Sequence, residues 1–378
     1  MILKKNSLLL AILIISISIF IYGVFVGTYK IFPYDVLDYV KVIILNEKNE
    51  FNSKEDFYYE RDVSRLIHIN TVDDIGKLKN NLIDFIWKYD GFPDSQLPNN
   101  VQKNIVNPLY DDFINLKQID QIDVNMEYGI NSIAYLFIPE SSNDILIIYH
   151  EGHAFNGFES GTATIQFFLN RGYTVMAFSM PLTGMNDDPI VDLPNLGKFK
   201  LERHSHFAFL DTSDFSSIKF FMEPIAVSLN YLDKNYNFSS YNMIGFSGGG
   251  WTVTLYSAID DRIAQTYSVA GSVPIYLRTI GSNLGDYEQW NPELYRIANY
   301  LDLYIMSSYG EDKKFIQIFN KYDTCCFSGE FYKTYENEVK EVLSKLNSDH
   351  FDIFLDDTHR THKISDRALE IIIQSMLN

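Results

Sequence analysis

The chain has 378 residues, 46% of them hydrophobic and 15% aromatic, and a formal net charge of −18. That length and apolar content suffice for one large domain or two small ones and exclude a disordered chain. The acidic balance argues against a nucleic-acid partner, because phosphate binding needs a basic face.

Lys4 and Lys5 precede an apolar run that carries no charge until Lys30. About 20 apolar residues match the hydrocarbon thickness of a bilayer, whereas the core of a cleaved signal is roughly 7–15 residues long. The sequence therefore predicts a cytoplasmic tail over 1–6 and a transmembrane signal anchor over 7–29. The two lysines place the remainder outside the cytoplasm. Secretion after cleavage is the alternative reading.

Residues 30–123 read as a helical preface. "TVDDIGKLKNNLIDFIWKY" carries Ile75, Leu78, Leu82, Ile83, Ile86 and Trp87 at helical spacing behind a Thr71 cap. From 124 to 378 strands and helices alternate. Continuous apolar runs such as "DILIIYH" and "YNMIGF" read as buried parallel strands. The alternation predicts an α/β fold, a mainly parallel twisted sheet with helices on both faces. A cap insertion rich in Tyr and Trp is expected at about 275–313, after the sixth strand. Its aromatic residues would either line a pocket or pack the cap onto the sheet.

In "NMIGFSGGGWTVTLY" Ser247 stands between a buried strand and a helix. Gly245 and Gly249 suit a turn too tight for a Cβ, with the serine projecting from the sheet. This is the context of a nucleophile elbow. A phosphate-binding turn is less well matched, because no Lys follows as in a P-loop. Cys325 and Cys326 are adjacent, which leaves two packed thiols or a vicinal disulfide.

These features resemble the α/β-hydrolase superfamily, on the side of its serine esterase and prolyl-oligopeptidase-like branches. The resemblance spans roughly residue 125 to the C-terminus. It implies Ser247 as nucleophile, Asp323 after a late strand as acid, and His362 before the last helix as base, with His359 as the alternative. It implies an oxyanion hole from the backbone N–H groups of Gly248 and of His153, the latter in "HEGHAFNG". There the glycine that usually follows the family's His is replaced by Glu151, which would bind a substrate hydroxyl or ammonium or be a plain surface carboxylate. Ser365 reads as the cap of the final helix.

The "RHSH" pair His204 and His206 lacks acidic or Cys company in sequence, so no metal and no cofactor are expected. The function implied is a membrane-anchored carboxylesterase or deacylase acting on an extracytoplasmic small-molecule or glycan ester. A prolyl-oligopeptidase-type peptidase and a non-catalytic binding protein of the same fold are the alternatives. The sequence leaves oligomeric state open.

Overall fold

The computed structural model describes residues 2–29, 32–33, 62–154, 157–194, 196–278, 284–323 and 325–377, with side chains in the first stretch from 13 to 26. The chain divides into two compact units, Met1–Glu60 and Arg61–Asn378. In the first, helix α1 runs over Ile2–Tyr29 and exposes large apolar side chains from Leu13 to Phe25. Among the described residues no helix is long and apolar enough to cross a membrane.

The second unit opens with helix α2, Val72–Trp87. The expected Thr71 cap forms, and Asp74 makes it a reciprocal capping box: Thr71 N–H donates to Asp74 Oδ2 at 2.9 Å, and Asp74 N–H donates to Thr71 Oγ1 at 3.4 Å. Leu82, Ile86 and Trp87 form its buried stripe, and Trp87 Nε1 donates to Glu223 Oε2 at 3.1 Å.

Nine strands form the main sheet: β1 Asn100–Gln102, β2 Leu116–Asn125, β3 Asn131–Pro139, β4 Ile145–His150, β5 Thr174–Phe178, β8 Ser240–Phe246, β9 Ile263–Val269, β10 Lys314–Asn320 and β11 Phe351–Asp356. Their spatial order is β1-β2-β3-β5-β4-β8-β9-β10-β11. Strands β1, β2, β3 and β5 pair antiparallel, and all pairs from β5 through β4 to β11 are parallel. Strands β6 Ile190–Leu193 and β7 Gly197–Lys200 form a separate antiparallel pair.

The boundary placed at residue 124 falls inside β2, so part of the expected helical preface belongs to the sheet. "LKQIDQIDVN" is half polar because β2 lies near an antiparallel edge, where one face stays partly wet. The central strands are buried on both faces and read as unbroken apolar runs.

Helix α3 (Thr162–Leu169) and the C-terminal helix α11 (Asp366–Leu377) share one apolar cluster on one face of the sheet. The other face is covered by α4 (Lys219–Asn235), α5 (Gly248–Ile259), α9 (Tyr300–Ser308) and α10 (Glu336–Lys345). Between β9 and α9 lie three short helices, α6 Ile275–Arg278, α7 Tyr287–Trp290 and α8 Pro292–Ile297. The expected cap at 275–313 is thus partly a layer of the sheet. All of α9 is buried against α5, with Ser307 Oγ donating to Thr254 O at 3.1 Å. Tyr295, Tyr300 and Tyr304 are buried packing residues.

Candidate active site

Every candidate residue lies at or beyond the carboxyl end of a parallel strand, where open α/β sheets place their ligands. Ser247 follows β8, the 150–154 loop follows β4, Asp323 follows β10, and His362 lies between β11 and α11.

Ser247 has φ 53° and ψ −122°, a left-handed conformation that a β-carbon makes costly. Hydrogen bonds hold it from both sides: its N–H donates to Val269 O and its carbonyl accepts from Gly250 N, both at 2.9 Å. The flanking glycines are obligatory. A Cβ on Gly245 would lie 2.2 Å from Gly249 O, and one on Gly249 would lie 2.1 Å from His150 O. Strand, turn and helix close together only without those side chains, and the tight strand-turn-helix geometry expected around Ser247 is present.

The loop after β4 passes against this turn. A Cβ on Gly152 would come within 2.8 Å of Ser247 Cβ, and one on Gly248 within 3.0 Å of the His153 ring. Gly248 opens α5, whose first-turn N–H groups have no partners within the helix. His150 is buried, its Nδ1 lies 3.0 Å from Glu151 O, and burial pushes its pKa down to about 4. The ring is therefore neutral and Nδ1–H donates.

Glu151 is also fully buried, which corrects the view of it as a surface carboxylate. Gly152 N–H donates to its Oε1 at 3.0 Å, while Oε2 has no hydrogen-bond partner among the described residues. Burial raises its carboxyl to about 7, with the Gly152 N–H working in the opposite direction.

The two residues expected as acid and base lie together. His362 Nδ1 lies 2.6 Å from Asp323 Oδ2. Asp323 is buried and also accepts from the Cys325 N–H at 2.8 Å through Oδ1. The His362 ring packs on Phe246, the residue before Ser247, with centroids 4.6 Å apart. Its Nε2 is buried and unpartnered among the described residues. No hydrogen bond joins Ser247 Oγ to that nitrogen among the described residues.

The alternative base, His359, has a different carboxylate. Its Nε2 lies 3.3 Å from Asp356 Oδ2, without hydrogen-bond alignment. Asp356 meanwhile accepts from Thr358 N–H at 2.9 Å and from the hydroxyl of Ser365, whose Oγ caps α11 by accepting from Ala368 N at 3.0 Å. Asn320 was not singled out in the sequence, yet its amide donates to Lys363 O at 2.9 Å and ties the histidine loop to β10. An Asn ending an apolar strand is too common a pattern to reveal that role. Cys325 and Cys326 are joined to each other, the vicinal alternative rather than two free thiols.

A cavity of about 380 Å³ opens beside this loop, lined among others by His153, Leu182, Thr183, Arg203, His204 and Asp286. A larger one, about 800 Å³, lies at the opposite end of the strands near Lys79 and Arg262 and includes none of the candidate residues. Of the candidate residues only His153 lines the smaller cavity, which adjoins the loop after β4.

No family model matches the sequence, and no curated protein matches it. Solved structures do. Acetyl xylan esterase 1 from Thermoanaerobacterium sp. JW/SL YS485 superposes with a TM-score of 0.53 at 14% identity, covering 83% of this chain and 96% of that one. Acetyl xylan esterase from Paenibacillus sp. R4 gives 0.54 at 14%, covering 86% and 98%. Methylesterase BT1017 gives 0.52 at 12%, covering 90% and 67%. The chain has the α/β-hydrolase fold. At such identities the likeness extends to the fold and not to a substrate.

Proposed function

We propose that the protein is a carboxylesterase or deacylase that works through an acyl-enzyme on Ser247. The observation that carries this reading is the 2.6 Å contact between His362 and Asp323, with the free, buried Nε2 beside the residue that precedes a left-handed serine. Asp323 fixes the Nδ1–H tautomer and stabilises the imidazolium. His362 Nε2 takes the Ser247 proton as Oγ attacks the ester carbonyl. The backbone N–H groups of Gly248 and His153 receive the developing oxyanion. His362 then protonates the leaving alcohol, and water releases the acyl group by the same steps.

The esterase names among the structural neighbours favour an ester, of a small molecule or a glycan, over a peptide. Anchoring in a membrane with the catalytic unit outside the cytoplasm is part of the proposal. It rests on the run without charge between Lys5 and Lys30, about as long as a bilayer's hydrocarbon core requires.

The experiment is hydrolysis of p-nitrophenyl acetate by the purified full-length protein and by Ser247→Ala. Turnover by the first and none by the second is expected. Equal rates would remove the enzyme reading in favour of a binding protein, and cleavage of peptide substrates in preference to esters would redirect it to a peptidase. Carbonate extraction of membranes tests the anchor: the protein should stay in the pellet.

A further inference from the structure

Four side chains from three separate segments converge beside the candidate active site. His153 follows β4, His204 begins the short helical turn His204–Phe209, and Asp286 and Glu288 lie at the start of α7. His153 Nε2 is 3.2 Å from His204 Nδ1 and 3.2 Å from Asp286 Oδ2. His204 Nδ1 is 3.0 Å from Glu288 Oε1, and one atom from each of the four residues lies within 4.8 Å of all the others.

Proton counting leaves this cluster short of donors. His204 Nε2 is 2.8 Å from Pro181 O, a carbonyl that can only accept, so that nitrogen carries a proton. In the neutral ring Nδ1 is then a lone pair facing a carboxylate and a second imidazole nitrogen. A second proton on Nδ1 serves only one of those two, and a proton on His153 Nε2 serves either that nitrogen or Asp286, so neither satisfies Glu288 Oε2. Glu288 is 0% exposed, and its Oε2 has no partner among the described residues. A buried carboxylate in that condition is costly unless something positive completes it.

The spacing says what would complete it. Ligand atoms about 2.0–2.1 Å from a tetrahedral zinc ion stand roughly 3.3 Å from one another. Three of the six separations are 3.0–3.2 Å, close to that value, and all six lie within 4.8 Å. A set of two imidazole nitrogens and two carboxylate oxygens suits zinc better than magnesium or calcium. The Pro181 carbonyl supplies the outer hydrogen bond that fixes the tautomer of a ligating histidine.

We propose that His153, His204, Asp286 and Glu288 form a binding site for one divalent cation of the zinc class. His204 and Glu288 form its buried floor. His153 and Asp286, with side chains 38% and 47% exposed, form its mouth on the cavity. The ion ties the loop bearing His153 to the helical insertion and so positions the backbone beside Ser247. The ligand set stands whether or not the protein hydrolyses esters. The competing account is an ion pair between a protonated His204 and Glu288 with no metal.

The test is zinc titration of the full-length protein in detergent, after chelator treatment, against a chromogenic zinc indicator. The site predicts one equivalent of tight uptake and a zinc-dependent rise in Tm. Asp286→Asn, half-exposed and therefore tolerated in the fold, and Glu288→Gln should each weaken uptake at least tenfold. His206→Ala, just outside the cluster, should not change it. Absence of stoichiometric uptake would overturn the proposal in favour of the ion pair. Uptake that both variants retain would overturn it as binding elsewhere on the chain.

Discussion

Asp323 Oδ2 holds His362 Nδ1 at 2.6 Å, while His359, three positions earlier, lies 3.3 Å from Asp356. Two histidines in one loop thus have separate carboxylates, and only the first packs on the residue preceding Ser247. His362→Ala is expected to lower kcat for p-nitrophenyl acetate by at least about 10³-fold, whereas His359→Ala should stay within about tenfold of wild type. Steady-state kinetics on both variants decide the assignment, and the reverse ranking would make His359 the base.

Asp323→Asn keeps the shape of the acid but not its charge. An amide NH₂ facing the imidazole favours the wrong tautomer, so kcat should fall by about 10⁴-fold with KM little changed. A rise in KM at constant kcat would show instead that Asp323 acts in substrate binding.

The elbow's glycines make a prediction about stability. Gly249→Ala places a methyl 2.1 Å from the His150 carbonyl, a backbone atom that cannot step aside. A loss of about 3 kcal/mol or more is expected from urea midpoints. Gly76→Ala is the contrast, since nothing lies within 4 Å of its Cβ on the exposed side of α2. It should stabilise by about 0.5–1 kcal/mol.

Glu151 and His150 give the protein opposing pH dependences. Folded Glu151 keeps its proton to about pH 7, against an ordinary value of 4.5. Its contribution is fully present below pH 4.5 and is lost as pH rises through 7, on the order of 3 kcal/mol in all. Folded His150 titrates near 4 instead of 6.5, so its contribution is present above pH 6.5 and is lost as pH falls toward 4. Glu151→Gln should therefore be more stable than wild type at pH 9, and its stability should fall from pH 7 to pH 5. Denaturation at the three pH values measures this. A variant with the wild-type pH profile would contradict it.

Much of this was legible in the sequence, because strong local rules carry it. The Thr71 capping box, the apolar runs of the parallel strands and the glycines around Ser247 are each decided within a few residues. What escaped depends on distance along the chain. The company His204 keeps escaped because His153, Asp286 and Glu288, which converge on it, lie far away along the chain. β2 escaped because a strand next to the antiparallel edge, with one partly wet face, keeps a polar pattern. The choice between His359 and His362 turns on loop register, which Asn320 sets from another strand.

Labelling of the full-length protein with a fluorophosphonate probe, followed by mass spectrometry of the modified peptide, tests the central claim most directly. The account predicts one adduct per chain, on Ser247, that disappears in His362→Ala. An adduct on another residue, no adduct at all, or labelling of Ser247 that is indifferent to His362 would contradict it.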